Sequence, residues 1–202
     1  MNFSVDHLIK VFREAVDLYH VKDDVDQVFE NPYANQPEEV YFHKCWVDTV
    51  QWHLEDIIRD VNIDPVKALE IKRRIDKSNQ VRTDMVEQID EQIRNFYADV
   101  EVLDNAKLNT ESPAWAIDRL SILMLKIYHM DEQANRPEID DELRASCNGK
   151  LAVLLEQEKD LSTSIAQLLE AIKEGKVYMK VYKQMKMYND PKLNPVLYKA
   201  KS

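Results

Sequence analysis

The chain has 202 residues, of which 45% are hydrophobic, and a formal net charge of −10. That length and apolar content suffice for one domain with a sizeable core, and the acidic balance argues against nucleic-acid binding by the body of the protein. Only two glycines occur, Gly149 and Gly175, which excludes a phosphate-cradling loop, a dinucleotide fingerprint and most β-rich folds.

The abundant residues are helix formers, and the expected fold is all-α: an up-and-down bundle of five to six helices. Ser4 or Asn2 can cap a first helix with the stripe Leu8, Val11, Phe12, Ala15, Val16 and Tyr19, fading near Lys22-Asp23-Asp24. Asn31 to Pro37 reads as a loop. A second helix starts behind Asn35 or Gln36 and runs to about Val61, with the stripe His43, Trp46, Val47, Val50, Leu54, Ile57 and Val61. His53, Asp56 and Asp60 share one flank of it at i, i+3, i+7. Asp64 and Pro65 open a third helix that extends toward Val102, roughly 55 Å at 1.5 Å per residue. Asn79 and Arg82 interrupt its apolar stripe, and Glu87 and Asp90 lie beside it.

Ser112 and Pro113 start a fourth helix, about 113–134, which is apolar nearly all round and is expected at the centre of the bundle. It nevertheless carries Asp118 and Ser121. A buried carboxylate must be paired or protonated, so neighbouring helices are expected to bring partners to Asp118. Asp140 opens a fifth helix whose 4-3 apolar repeat has one intruder, Glu158, and Gly175 suits its C-terminal stop. The segment from Val177 to Tyr188 reads as a short helix with Val181, Met185 and Tyr188 inward. Leu193, Leu197 and Tyr198 suggest that the chain end still packs. From Ala171 onward there are eight lysines against Glu174 and Asp190. The domain reading is therefore a single helical unit over 1–202, with a lysine-rich segment 176–202 lying across an acidic body. The basic end could instead meet an anionic small molecule or a protein partner.

Cys45 and Cys147 form no CxxC and are too few for a disulfide framework. The first residues lack the basic and apolar regions of a signal peptide, and no apolar run reaches membrane-spanning length. A cytoplasmic protein with no membrane span is the expectation.

The polar intruders define one candidate centre: His53, Asn79, Arg82, Asp118, Ser121 and Glu158. Arg82 is its natural hub, because guanidinium keeps its charge when buried and grips carboxylates in a fork; Asp118 and Glu158 are its expected partners. Such a network can simply set helix register, or it can line a ligand site between facing helices. A Mg²⁺ site is a separate reading, built on Asp56, Asp60, Glu87 and Asp90. It loosely parallels all-α nucleotide pyrophosphohydrolases, which use ExxE and ExxD on two helices. Glu87-Gln-Ile-Asp90 matches ExxD, but the second helix offers no ExxE. No HExxH, GxSxG or paired Glu-x-x-His occurs, and His43 and His129 read as core histidines.

The segments Trp52-His-Leu-Glu-Asp-Ile-Ile-Arg59, Ile75-Asp-Lys-Ser-Asn-Gln-Val-Arg82, Ile117-Asp-Arg-Leu-Ser-Ile-Leu123 with Lys126-Ile-Tyr-His-Met130, and Lys186-Met-Tyr-Asn-Asp-Pro191 together resemble a bacterial family. It is catalogued as domain of unknown function 4254 and is common in Bacteroidota. The resemblance covers roughly residues 30–198. It marks Asn79, Arg82, Asp118, Arg119, Ser121, Asn189 and Asp190 as motif members and assigns no catalytic residue. A second group with a similar Asp-Lys-Ile-Thr-Ile-Leu is associated with glycosyltransferases of cell-surface polysaccharide synthesis. The resemblance thus implies a helical bacterial protein linked to envelope-glycan or sugar-nucleotide metabolism. Two functional expectations follow. One is a binding or accessory module, able to form a homodimer, in which Asn189, Asp190 and the lysine-rich end meet the anionic partner. The alternative is a Mg²⁺-dependent nucleotide or sugar-nucleotide pyrophosphohydrolase.

Overall fold

The computed structural model describes residues 4–185, 187 and 190–199. Among them are the helices α1 (Val5–His20), α2 (Glu39–Ile58), α3 (Pro65–Phe96), α4 (Pro113–Asn135), α5 (Asp141–Lys173) and α6 (Pro195–Lys199). Two short strands, β1 (Lys107–Leu108) and β2 (Val177–Tyr178), pair in parallel. The architecture is the expected all-α bundle. α4 packs against α1, α2, α3 and α5 alike, which places it at the centre. No helix among the described residues is long and apolar enough to cross a membrane.

The core follows from the apolar stripes. Val11, Phe12, Ala15 and Tyr19 of α1, Ile89 and Ile93 of α3, and Ile117 and Leu120 of α4 are fully enclosed. Each large aliphatic or aromatic side chain so buried contributes about 1.5–3 kcal/mol. A smaller cluster of Leu54, Ile71 and Ile75 joins α2 to α3. On α2 the buried set differs from the expected stripe. Tyr41, Phe42, Lys44, Cys45, Asp48 and Thr49 are enclosed, whereas His43, Val47 and Val50 are only half-buried. The reason is that α1, α3 and α4 all pack on α2, so it is covered over more than one stripe. Val61 lies beyond the helix and is 94% exposed.

Side-chain caps form at α3 and α5, whereas Ser4, expected to cap α1, makes none. Asp64 accepts hydrogen bonds from the Val66 and Lys67 amides, with Pro65 in the first turn, and Asp140 accepts from Leu143. α4 starts at Pro113 without the cap expected of Ser112. Ser112 makes no side-chain cap bond; its hydroxyl donates to Asp90 at 2.6 Å, and Asp90 accepts the Ala114 N–H at 3.3 Å. The start of α4 is buried against α3, so a carboxylate from the neighbouring helix serves its free amides and the positive end of its dipole.

α3 ends at Phe96, short of Val102. The segment after it is held by the far end of α5. There the Gly175 N–H donates to Ile172 and the Lys176 N–H to Ala171, a Schellman closure with Gly175 at φ +68°. Leu103 then donates to the Gly175 carbonyl and Lys107 to that of Lys176, and β1 runs alongside β2. The expected helix over Val177–Tyr188 is therefore not formed. Residues 177–178 are strand, Met185 is exposed, and Tyr188 lies outside the described residues. α6 buries nothing, and Leu193 before it is exposed as are Leu197 and Tyr198 within it.

A β-carbon on residue 175 would stand 2.2 Å from the Glu101 carbonyl oxygen, in a left-handed backbone. Gly175→Ala should lower stability by about 1–3 kcal/mol in urea unfolding, whereas Gly149→Ala, with open space at its β-carbon, should not.

Candidate functional site

Asp118, inside the central helix, has its partners. The Lys44 ammonium of α2 is 2.5 Å from Asp118 Oδ1 and 2.5 Å from Asp48 Oδ2. The Arg82 guanidinium of α3 donates through Nε to Asp48 Oδ1 at 2.5 Å and through Nη2 to Asp118 Oδ1 at 3.4 Å. Ser121 Oγ donates to Asp48 Oδ2 at 2.7 Å. Two cations and two carboxylates from three helices thus close a neutral network. Lys44 is 1% exposed and Asp48 5%. Burial alone would lower the pKa of Arg82, but the charges and hydrogen bonds of Asp48 and Asp118 outweigh it and hold it above its ordinary value.

Arg82 is the expected hub and Asp118 its expected partner, but the second carboxylate is Asp48, not Glu158. Glu158 instead accepts from Arg13 of α1 at 2.6 Å. The polar face of α5 at that level meets α1, not α3. Lys44 and Asp48 are inconspicuous in the sequence, because an i, i+4 Lys–Asp pair is the usual pattern of a solvated helix face. The available signal was their spacing with Tyr41 and Cys45 on the side of α2 that meets α4.

Arg82 also faces outward. With Asp118, Asn79, Thr83 and the Trp115 ring it lines a cleft of about 220 Å³ between α3 and α4. Gln51 bridges into the same region, donating to Asn79 at 2.9 Å and accepting from Ser78 at 2.7 Å. On its other side Arg82 borders a depression of about 340 Å³ with Asp48, Trp52, Asp56 and Arg59.

The four carboxylates of the Mg²⁺ reading are not brought together; among the described residues no three of them converge. Asp56 is exposed and pairs with Arg59, and Asp60 is exposed and accepts the Asn62 N–H in the turn after α2. Glu87 accepts the Gln184 N–H. Asp90 is occupied at the start of α4; burial raises its pKa, partly offset by the Ser112 and Ala114 hydrogen bonds. Asp190 caps a turn by accepting the Lys192 N–H. Asn189 lies outside the described residues.

His53 is not part of the Arg82 network. Its Nε2 is 3.2 Å from His20 Nε2 and 3.5 Å from Asp23 Oδ1. One ring nitrogen from each of His20, His53 and His129 lies within 4.8 Å of the other two. His129, expected as a core histidine, stacks on Trp52 at 4.9 Å and is half-buried. Burial holds the pKa of both His53 and His129 below the usual histidine value.

Replacing Arg82 by alanine leaves two enclosed carboxylates with one cation. We expect Arg82→Ala to cost about 3–5 kcal/mol in urea unfolding, and Arg82→Lys, which keeps charge but not the fork, to cost less. A loss below about 1 kcal/mol for the alanine variant would contradict the network's closure.

No curated protein and no solved structure matches the chain. A family model described as "Protein of unknown function (DUF4254)" matches residues 38–181. That interval runs from α2 past β2 and holds Lys44, Asp48, Arg82, Asp118 and Ser121. Because the match covers more than two thirds of its length, the chain belongs to this family.

Proposed function

We propose that the protein is a non-catalytic binding module for a small polyhydroxylated ligand, a sugar or the sugar moiety of a sugar nucleotide, in envelope-glycan metabolism. The observation that carries this reading is the double role of Arg82 and Asp118. Both are fixed by the buried network, and both also line the cleft between α3 and α4. Side chains held by burial present donors and acceptors at fixed positions, which lowers the entropy lost on binding. Asn79 adds an amide that both donates and accepts, and the Trp115 ring supplies an apolar face. A hydroxyl-rich ring with one apolar face matches that set. The volume, about 220 Å³, is below the roughly 300–1,000 Å³ of pockets for drug-sized ligands and suits a single ring. The resemblance of the Ile117–Leu123 segment to a group associated with glycosyltransferases points to the same class of ligand.

The test is a thermal-shift and calorimetric screen of the full chain against monosaccharides and sugar nucleotides, with and without Mg²⁺. A true ligand at 100 times its Kd should stabilise by about 2.7 kcal/mol, equally in both conditions. Asn79→Ala should remove the response while the ligand-free protein still melts cooperatively. A Mg²⁺-dependent shift with phosphate release would replace the proposal with a hydrolase. No response to any sugar compound would refute it.

A further inference from the structure

The cluster at the end of α1 lies outside the Arg82 network. We propose that His20, His53 and His129 form a binding site for one transition-metal ion of the Zn²⁺ class, tying α1, α2 and α4 together.

Tetrahedral Zn²⁺ with Zn–N distances near 2.0–2.1 Å sets its ligand nitrogens about 3.3–3.4 Å apart. His20 Nε2 and His53 Nε2 stand 3.2 Å apart, and the donor nitrogens of all three rings lie within 4.8 Å of one another. Among the described residues this is the one such gathering of three or more His, Cys, Asp or Glu donors.

The protonation pattern agrees. His20 Nδ1 is 2.7 Å from the Val16 carbonyl oxygen, which can only accept. The proton of a neutral His20 therefore sits on Nδ1, and the lone pair of Nε2 faces the cluster. His129 Nδ1 is 3.5 Å from the Glu132 carboxylate, while its Nε2 is buried and makes no hydrogen bond. An imidazole that turns one nitrogen to a carbonyl or carboxylate and the other inward has the outer-shell arrangement of metal-bound histidine. Two neutral imidazoles can share one proton between them. That leaves the third inward nitrogen unserved, whereas a cation serves all three.

Ring stacking explains part of the packing but not this convergence. Tyr128 stacks on His20 at 4.1 Å, Tyr19 on His53 at 5.0 Å and Trp52 on His129 at 4.9 Å. These neighbours fix the ring planes, yet stacking alone does not require the nitrogens to point at one another. Asp23, 3.5 Å from His53 Nε2, is an oxygen donor at the rim. Three imidazoles with one oxygen select Zn²⁺ or its neighbours over Mg²⁺, which prefers oxygen alone and tight octahedral geometry.

The untagged full-length chain, stripped with a chelator, should be titrated with Zn²⁺ against a chromophoric competitor. We expect one Zn²⁺ per chain, and no competition from Mg²⁺. His53→Gln and His129→Gln should each weaken binding about tenfold or more. His7→Gln, which alters the half-buried histidine paired with Glu38, should bind as the unaltered chain does. Co²⁺ in place of Zn²⁺ should give visible bands of tetrahedral intensity, lost in His53→Gln. Melts of the metal-free variants show whether each folds, and His20→Gln replaces any that does not. Absence of binding, or binding unchanged in both cluster variants that fold, would overturn the proposal.

Discussion

A carboxylate inside the central helix cannot stand alone. Asp118 lies on the face of α4 that α2 and α3 cover, and an unpaired charge there would cost several kcal/mol. The bundle answers with Lys44 and Arg82, and two cations then require a second carboxylate, Asp48. Once four charges and the Ser121 hydroxyl are matched, α2, α3 and α4 have one register in which every charge is served. Sliding α3 by a turn would carry Arg82 about 5.4 Å from both carboxylates. Apolar packing supplies the stabilisation; the ion pairs select this arrangement among similarly apolar ones.

Two polar centres lie along the same pair of helices. α2 contributes Lys44 and Asp48 to one and His53 to the other; α4 contributes Asp118 and Ser121 to one and His129 to the other. The third partner changes with level: Arg82 from α3 at the first, His20 from α1 at the second. Between them α2 places Gln51 and Trp52, the first bonded toward α3 and the second stacked on His129. The α2–α4 contact is thus polar at two levels.

Much of this was legible in the sequence, for physical reasons. An Asp cap announced α3 and α5, and a proline in the first turn announced α3 and α4. Arg82 and Asp118 were visible as charges breaking apolar faces. Lys44 and Asp48 were hidden because α2 is covered on several sides, so its hydrophobic stripe does not mark its buried face. Glu158 was visible as an intruder, but its partner depends on which helix crosses α5 there, and that helix is α1. The segment after Gly175 has helical spacing of apolar residues, yet the left-handed turn directs it along residues 107–108, where backbone pairing competes with helix formation. The histidine cluster needs the crossing of α1, α2 and α4 to be known, since its members are 33 and 76 residues apart.

The most direct measurement is a double-mutant cycle across the central network, with Lys44→Met, Asp118→Asn and the pair compared by urea unfolding. If the two side chains meet inside the bundle, the single changes should be non-additive, with a coupling energy of about 0.5–3 kcal/mol. Additive effects would mean that Lys44 and Asp118 do not share a buried site, and that the register of α2 on α4 has another origin.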